Sequence, residues 1–382
     1  MATGLATRQT FPMAIVDTVV IGGGQAGLAV SYYLRRAGVD FVLLDDQDGP
    51  GGAWRGGWES LRLFSPARAS SLPGWPMPRA RDGKYPTRDE VVAYLSAYEE
   101  RYGFPVLRPW PVHGVEEAAD PEFLEVQGVH GGRVLARTVV SATGTWSAPR
   151  RPSLPGLEDF KGRILHSAEY RSPAALGLGG GEGPGGGRAA TGDRPPRVMV
   201  VGGGNSGAQI VAEVSRTAET WWATLEPPVF LPDDVDGEVL FDQASARYRA
   251  RQAGLPEPPS RSLGDIVAVP TVREARERGA LRARPLPVRF TATGAVPHEG
   301  APEEAVDAVI LCTGFGPALE HLRPLGLEDA RGRIPVQGTR SVAEPRLWLV
   351  GYGGWTGYAS ATLIGVGRTA RATADEIREF LG

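Results

Sequence analysis

Apolar and polar positions fall into one phrase that occurs twice. Asp17-Thr18-Val19-Val20-Ile21 is a short β-branched run and predicts a buried strand. Three glycines follow, Gly22 to Gly24, and then an apolar-periodic segment with Ala26, Val30, Tyr33 and Ala37 on one face. Gly38 stands where such a helix would be capped. Phe41-Val42-Leu43-Leu44 predicts the second strand, ending at Asp45. The phrase returns as Arg197–Val201, the turn Gly202–Gly204, a helix from Ser206 to about Ser215 and a strand at Thr220–Thr224.

Between the two phrases lies a Gly/Pro/Trp-rich loop from Gly49 to about Pro86. Thr87-Arg88-Asp89-Glu90 forms a capping box. It opens a helix with Val91, Leu95, Tyr98 and Tyr102 on one face, stopped by Gly103. Phe123–Val126 and Arg133–Leu135 predict a hairpin, and Thr138–Ser141 a further strand. Thirteen of the 25 residues from Ser172 to Pro196 are Gly or Pro, so this stretch predicts a flexible surface excursion. Pro227 to Pro287 reads as a second loop region. Ala305–Leu311 and Arg346–Val350 predict late strands, and Ala359 to Leu381 a C-terminal helix.

Composition narrows the classes. The 382 residues are 42% hydrophobic and 22% charged, which fits a globular chain of two or three domains. A net charge of −3 gives no electrostatic case for nucleic acid or an anionic membrane. No apolar run reaches the roughly 18–20 residues of a bilayer span, and Met1–Pro12 does not read as a signal peptide. The simplest compartment is a bacterial-type cytoplasm. One cysteine, Cys312, excludes an intramolecular disulfide, a dithiol redox pair and a multi-cysteine metal site. The histidines at 113, 130, 166, 298 and 321 are scattered, and no metal site is expected.

Gly22-x-Gly24-x-x-Gly27 gains weight from its context: a strand before it, a helix after it and an acid, Asp45, ending the next strand. The first glycine permits the turn, the second admits a pyrophosphate to the backbone, and the third packs helix on strand. A pyrophosphate would meet the N–H groups of Gln25 and Ala26 at the helix start. Asp45 would accept from a ribose. Gly202-x-Gly204-x-x-Gly207, with Asn205 and Ser206, repeats the motif. Two such turns imply FAD in the first and NADPH or NADH in the second. Glu226 ends the strand after the second turn and suits a free 2′-hydroxyl, which leans toward NADH. Ala142-Thr143-Gly144 and Cys312-Thr313-Gly314 are strand ends of the type that mark crossings between two nucleotide domains.

These features, with Phe160-x-Gly162-x-x-x-His166-x-x-x-Tyr170 and Gly51-Gly52-Ala53-Trp54, resemble the flavin-containing monooxygenase superfamily over most of the chain. Leu61–Pro66, Tyr85-Pro86-Thr87, Phe230–Gly237 and Val350–Gly357 resemble more narrowly the flavin monooxygenases of arsenic-resistance operons. The resemblance implies an α/β fold of two Rossmann-like domains. A discontinuous FAD domain (1–155 and 303–382) would carry an inserted NAD(P) domain (156–302), with the loop at 172–196. It implies an NAD(P)H-consuming enzyme that oxygenates a soft heteroatom in a small molecule, using molecular oxygen through a C4a-hydroperoxyflavin. The ending Tyr170-Arg171, in place of Trp followed by Pro or Asp, favours heteroatoms over Baeyer–Villiger oxidation. Gly52, Trp54, Thr143, Gly144 and Thr362 would join the flavin site, with N–H groups of Ala359–Thr362 aimed at the flavin edge. Trp54, Trp58 and Trp355 are candidate walls. Ser65, where many relatives carry an Asn, and His166 and Trp355 are the candidates nearest the chemistry. The competing readings are an NAD(P)H-dependent reductase or oxidase and a flavin-binding regulatory protein. A homodimer is compatible with all three.

Overall fold

The computed structural model describes residues 14–83, 85–178, 194–258 and 264–382. The Met1–Pro12 segment and most of the expected loop at 172–196 lie outside them. In chain order the strands are β1 (Ala14–Ile21), β2 (Phe41–Leu44), β3 (Val106–Leu107), β4 (Val112–Glu117), β5 (Leu124–Gly128) and β6 (Arg133–Ser141). There follow β7 (Arg163–His166), β8 (Arg197–Val201), β9 (Glu219–Thr224) and β10 (Ala283–Pro285), and then β11 (Arg289–Phe290), β12 (Gly294–Val296) and β13 (Glu304–Ala305). The last are β14 (Ala308–Leu311), β15 (Val336–Gln337), β16 (Arg340–Ser341) and β17 (Leu347–Leu349). The helices are α1 (Gln25–Ala37), α2 (Arg88–Tyr102), α3 (Asn205–Val214), α4 (Gly237–Gln252), α5 (Pro270–Glu277) and α6 (Val366–Leu381).

The strands form two main sheets. The first runs β15-β16-β17-β6-β1-β2-β3, with β5 and β4 paired beside the start of β6. Its centre, from β17 to β3, is parallel. Such strands are covered on both faces and read as continuous apolar runs. Here α1, α2 and α6 cover one face, around Leu28, Leu34, Leu95 and Val366. The second sheet, β10-β9-β8-β14-β7, is parallel throughout and carries α3 and α5. A small antiparallel sheet, β11-β12-β13, lies beside it in sequence.

Two passages of chain cross between the main sheets, and they are bonded to each other. Gly316 N donates to Ala148 O at 2.8 Å, Arg150 N to Gly314 O at 2.9 Å and Ala318 N to Gly144 O at 2.9 Å. The Thr-Gly strand ends thus mark a two-stranded ribbon.

Four expectations need correction. Residues 227–287 are not merely loop: α4 and α5 lie within them. Asp236 caps α4 by accepting from Glu238 N and Val239 N, and Pro270 opens α5. The C-terminal helix starts at Val366, because Ala359 adopts φ 58° and Thr362 turns back on Ala359 and Gly365. Ala308–Leu311 belongs to the second sheet, so that sheet extends past the expected boundary at 302. On α1, Tyr33 and Ala37 lie at the rim, while Leu34 enters the core with Ala26 and Val30.

Candidate functional site

Each glycine turn lies at the C-terminal edge of a parallel sheet, where open α/β sheets hold ligands. At the first, Gly22 has φ 107°, and a Cβ there would lie 2.7 Å from Ala142 O. A Cβ on Gly27 would lie 1.9 Å from Gly22 O, so strand and helix touch through bare backbone. Gly24 is different: the nearest heavy atom to an added Cβ is Gly52 Cα, 3.9 Å away. The second turn repeats this. A Cβ on Gly207 would lie 2.2 Å from Gly202 O, while one on Gly204 meets no heavy atom within 4 Å. Neither α1 nor α3 has a side-chain N-cap. The first-turn N–H groups, at Gln25 to Gly27 and Asn205 to Gly207, have no intrahelical acceptor. Open glycine surface beside orphan donors at a helix N-terminus is the chemistry a pyrophosphate requires. Both cradles therefore fit a dinucleotide.

The first cradle is tied to its surroundings by Gln25. Trp54 Nε1 donates to Gln25 Oε1 at 3.0 Å, and Gln25 Nε2 donates to Ala361 O at 2.7 Å. The Gly51-Gly52 loop presses on the turn, since a Cβ on Gly52 would lie 2.7 Å from Gly24 Cα. Asp45 is buried next to Gly23, and its Oδ2 is taken by Arg108 Nε at 2.7 Å. Among the described residues no hydrogen bond reaches Oδ1. The same guanidinium holds Glu99 through two bonds of 2.8 and 3.0 Å. This clamp was not visible in the sequence, because nothing local joins residues 45, 99 and 108.

Several expected ligands use their side chains inside the protein. Asn205 donates to Asp265 O and accepts from Val267 N, both at 2.9 Å, so it fixes a loop. Thr143 Oγ1 donates to Ala318 O at 2.7 Å. Thr362 accepts from Gly365 N at 3.0 Å and caps the approach to α6. The expected presentation of Ala359–Thr362 as a helix start is thereby replaced by a turn. Ala26 is buried at the first turn of α1, Gly144 opens the ribbon with φ 65°, and Ser206 follows Asn205 at the start of α3. Glu226 is exposed at the end of β9, its carbonyl 3.9 Å from a Cβ added at Gly203. Arg216 is paired with Glu274 at 2.6 Å.

The three candidates near the chemistry separate. Ser65 lies under the start of α4: its Oγ is 2.8 Å from Ser70 Oγ, and a Cβ on Gly237 would lie 2.7 Å from Ser65 Cβ. His166 is fully buried. Ala168 N donates to its Nδ1, so Nε2 carries the proton and donates to Gly314 O at 3.1 Å. Burial lowers its pKa, opposed by the Gly314 bond. His166 thus pins the ribbon to the second sheet as a neutral imidazole. Trp355 packs on Tyr352 and lies under Arg333. Of the other tryptophans, Trp54 faces Gln25, while Trp58 is buried in the second sheet's core.

The Phe160–Tyr170 segment is structural at each motif position. Gly162 is crowded by the Phe160 ring and Asp307 O. Tyr170 OH donates to Glu213 of α3 at 3.0 Å, and Arg171 donates to Gly56 O beside Trp54. The motif locks the second sheet to the loop bordering the first cradle. Asp236, in the Phe230–Gly237 stretch, accepts from Tyr85 OH at 3.3 Å, and Gly237 N donates to Phe64 O at 2.7 Å. Three of the four narrower sequence matches are therefore one contact region.

Comparison with known proteins matches residues 19–182 to the pyridine nucleotide-disulphide oxidoreductase family. A flavin-containing monooxygenase from Stenotrophomonas maltophilia is 48% identical, over 97% of this chain and 100% of that one, with a TM-score of 0.83. The chain belongs to the flavin monooxygenase family. Members are flavoprotein oxidoreductases that use FAD with a nicotinamide coenzyme. An oxidoreductase named CzcO-like from Geobacillus kaustophilus is 33% identical over 229 residues, 59% of each chain. Indole-3-pyruvate monooxygenase YUCCA1 of Oryza sativa is 28% identical over 95% of this chain and 91% of that protein. Cyclohexanone monooxygenase, 20% identical with a TM-score of 0.61, shares the fold. Within the family the chain has no second thiol, so the dithiol chemistry named in the matched family description has no residues here. Among the described residues no group of His, Cys, Asp or Glu could hold a metal, and no helix is long and apolar enough to cross a membrane.

Proposed function

We propose that this enzyme is an NAD(P)H-consuming, FAD-dependent monooxygenase that oxygenates a soft heteroatom, nitrogen or sulfur, in a small diffusible molecule. The observation carrying the reading is the pair of open glycine cradles on two sheets joined by one ribbon. In this reading 1–155 with the C-terminal part would hold FAD, and 156–302, lengthened to Leu311, the coenzyme. FAD would lie with its pyrophosphate on the first turn of α1 and a ribose on Asp45 Oδ1. The coenzyme would lie on α3, with Glu226 accepting from a 2′-hydroxyl.

A bound flavin would supply the redox chemistry that couples the nicotinamide to oxygen. The chain's own residues bind, orient and exclude water. Orphan N–H groups of α1 and α3 would meet the two pyrophosphates. Gln25 holds the Trp54 indole N–H against the fingerprint turn and ties that turn to Ala361. Arg171 holds the Gly56 carbonyl and so keeps the Gly52–Gly56 turn shut against the second sheet, limiting the water that diverts oxygen to peroxide. An arsenical, in the narrower form of the reading, would have to be held by shape. Cys312 is the one thiol, and burial pushes its pKa up to about 12, which leaves it a poor soft ligand. A cytoplasmic setting suits a chain with one cysteine and reduced coenzymes as fuel.

The test uses FAD-loaded enzyme with NADH or NADPH, oxygen-18 gas and three probes: an aryl sulfide, a tertiary amine and a cyclic ketone. Label in the sulfoxide or N-oxide is expected, with NADH accepted at least as well as NADPH. Label in a lactone alone would assign Baeyer–Villiger chemistry instead. Stoichiometric peroxide with no labelled product from any probe would make the enzyme an oxidase.

A further inference from the structure

Four hydroxyl and imidazole groups from three distant segments meet in the core beneath the first cradle. Ser141 Oγ is 3.0 Å from His321 Nε2 and 2.6 Å from Tyr352 OH, and Tyr352 OH is 2.7 Å from Thr143 Oγ1. Thr143 Oγ1 lies 2.7 Å from Ala318 O. The terminal carbonyl sets the direction of the whole chain, because it can only accept. Thr143 therefore donates to Ala318 and accepts from Tyr352. Tyr352 then accepts from Ser141, and Ser141 accepts from His321 Nε2–H. Ser141 and His321 are buried, and Tyr352 is only 8% exposed. Burial holds His321 neutral, with its pKa lowered to about 4.

The chain's position gives it a task. Its middle members stand at the ends of β6 and just beyond β17. A Cβ on Gly22 would lie 2.7 Å from Ala142 O and 3.1 Å from Thr143 Cα. On the other side, a Cβ on Gly351 would lie 2.6 Å from Ala26 Cβ. Both strand ends are thus in direct contact with the fingerprint turn and the first turn of α1. Its two outer members, Ala318 and His321, belong to the segment that returns from the second sheet through the ribbon. Thr143, the member nearest the fingerprint turn, has its hydroxyl proton committed to Ala318 O.

We propose that Tyr352 is a positioning residue that fixes the floor of the flavin cradle to the returning ribbon through the directed chain His321–Ser141–Tyr352–Thr143–Ala318. This rests on FAD occupying the first cradle. Sub-ångström placement of a binding constellation depends on such locked supporting bonds. Networks of this kind act as units, so that breaking any link costs about as much as breaking two.

The experiment compares wild type, Tyr352→Phe, Ser141→Ala and the double variant. FAD affinity of the apoprotein is read by fluorescence titration, and flavin reduction by NAD(P)H is followed without oxygen. Each single variant is expected to bind FAD about tenfold more weakly, since a buried partner loses its bond, and the double variant no more than about threefold beyond that. At saturating coenzyme the reduction rate falls about tenfold, while the coenzyme concentration giving half the maximal rate is unchanged, because the second cradle is untouched. Ser141→Ala carries the test alone if Tyr352→Phe does not fold. Unchanged FAD affinity and reduction rate, with only the melting temperature lowered, would make the network a packing feature and overturn the proposal. So would losses that add fully in the double variant. Failure of the wild-type apoprotein to take up FAD would instead remove the flavin reading itself, and this proposal with it.

Discussion

Gln25 and Trp54 are joined by an indole N–H donated to the amide oxygen at 3.0 Å, while the amide nitrogen of Gln25 holds Ala361 O. One side chain thus connects the fingerprint helix, the Gly-Gly-x-Trp turn and the turn before α6. Gln25→Leu keeps the volume and removes both bonds. It is expected to cost about 1 kcal/mol of stability, because the half-buried Trp54 N–H loses its partner, whereas the exposed Ala361 carbonyl can turn to water. Denaturant unfolding measures that loss. The flavin absorption bands of the loaded variant should shift as Trp54 loses its fixed orientation, and unaltered bands would place Trp54 away from the ring.

The glycines of each fingerprint divide by what surrounds them, and alanine substitution tests the division. Gly27→Ala and Gly207→Ala put a Cβ within about 2 Å of a backbone oxygen, and these variants should fail to give stable protein. Gly24→Ala and Gly204→Ala meet no protein atom closer than 3.9 Å. They should keep the wild-type melting temperature without ligand. They should also weaken FAD and coenzyme binding respectively, by about tenfold or more, because the methyl occupies the pyrophosphate's approach. A fall in apoprotein stability equal to that of the crowded pair would contradict the assignment of the cradles.

Arg108 neutralises two carboxylates at once, Asp45 and Glu99, with side chains 10%, 3% and 16% exposed respectively. Arg108→Met leaves both acids without their cation and is expected to cost about 3–5 kcal/mol. Combining it with Asp45→Asn and Glu99→Gln should recover part of that loss, since the uncompensated charge goes with them. Urea titrations of wild type, the single variant and the combined variant give the comparison. Equal losses in the single and combined variants would show that Arg108 acts by packing alone.

Acid should destabilise the protein in a window set by its buried histidines. His321 has its pKa lowered by burial from the ordinary 6.5 to about 4, and that of His166 is lowered in the same direction, again chiefly by burial. Between those values the unfolded chain binds the proton and the folded chain does not. Stability is therefore full above about pH 6.5 and falls as pH drops toward 4, by about 3 kcal/mol for His321. The slope for His166 adds to it. His321→Gln keeps an N–H donor for Ser141 and cannot titrate, so its stability should decline less over pH 6.5 to 4. An acid limb identical to wild type would show that other groups set it.

Much of this was legible in the sequence, for reasons of range. Both strand-glycine-helix phrases, the Thr87–Glu90 capping box and the Gly38 cap are local in sequence and appear as read. The two glycine turns were legible because a strand end, a turn and a helix start need only neighbouring residues. α4 was not, because few of its residues are core-facing (Leu240 and Ala244 among them) and its Pro- and Arg-rich surroundings read as loop. The start of α6 was misplaced because Ala359–Gly365 runs into the helix with no local stop that the sequence displays, and the positive φ at Ala359 and the Thr362 bonds show the turn. Thr143, Asn205 and Thr362 have the residue types of ligands. Their side chains point to partners 175, 60 and 3 residues away, which composition and spacing do not reveal. The Asp45–Arg108 and Ser141–Tyr352 contacts are likewise products of strand register, across 63 and 211 residues.

The ribbon has a consequence for how such a chain can be assembled and altered. Its two passages, at 144–150 and 314–318, run side by side, so the chain leaves the first sheet and re-enters it at neighbouring points. Every strand pairing of the first sheet lies outside the intervening 163 residues (151–313). That segment is a cassette: it can be lifted out and its ends closed by a short turn, or exchanged for another insert, without rerouting a single strand of its host. Joining 148 to 316 in this way gives a minimal chain for asking whether the host half folds and holds its nucleotide alone.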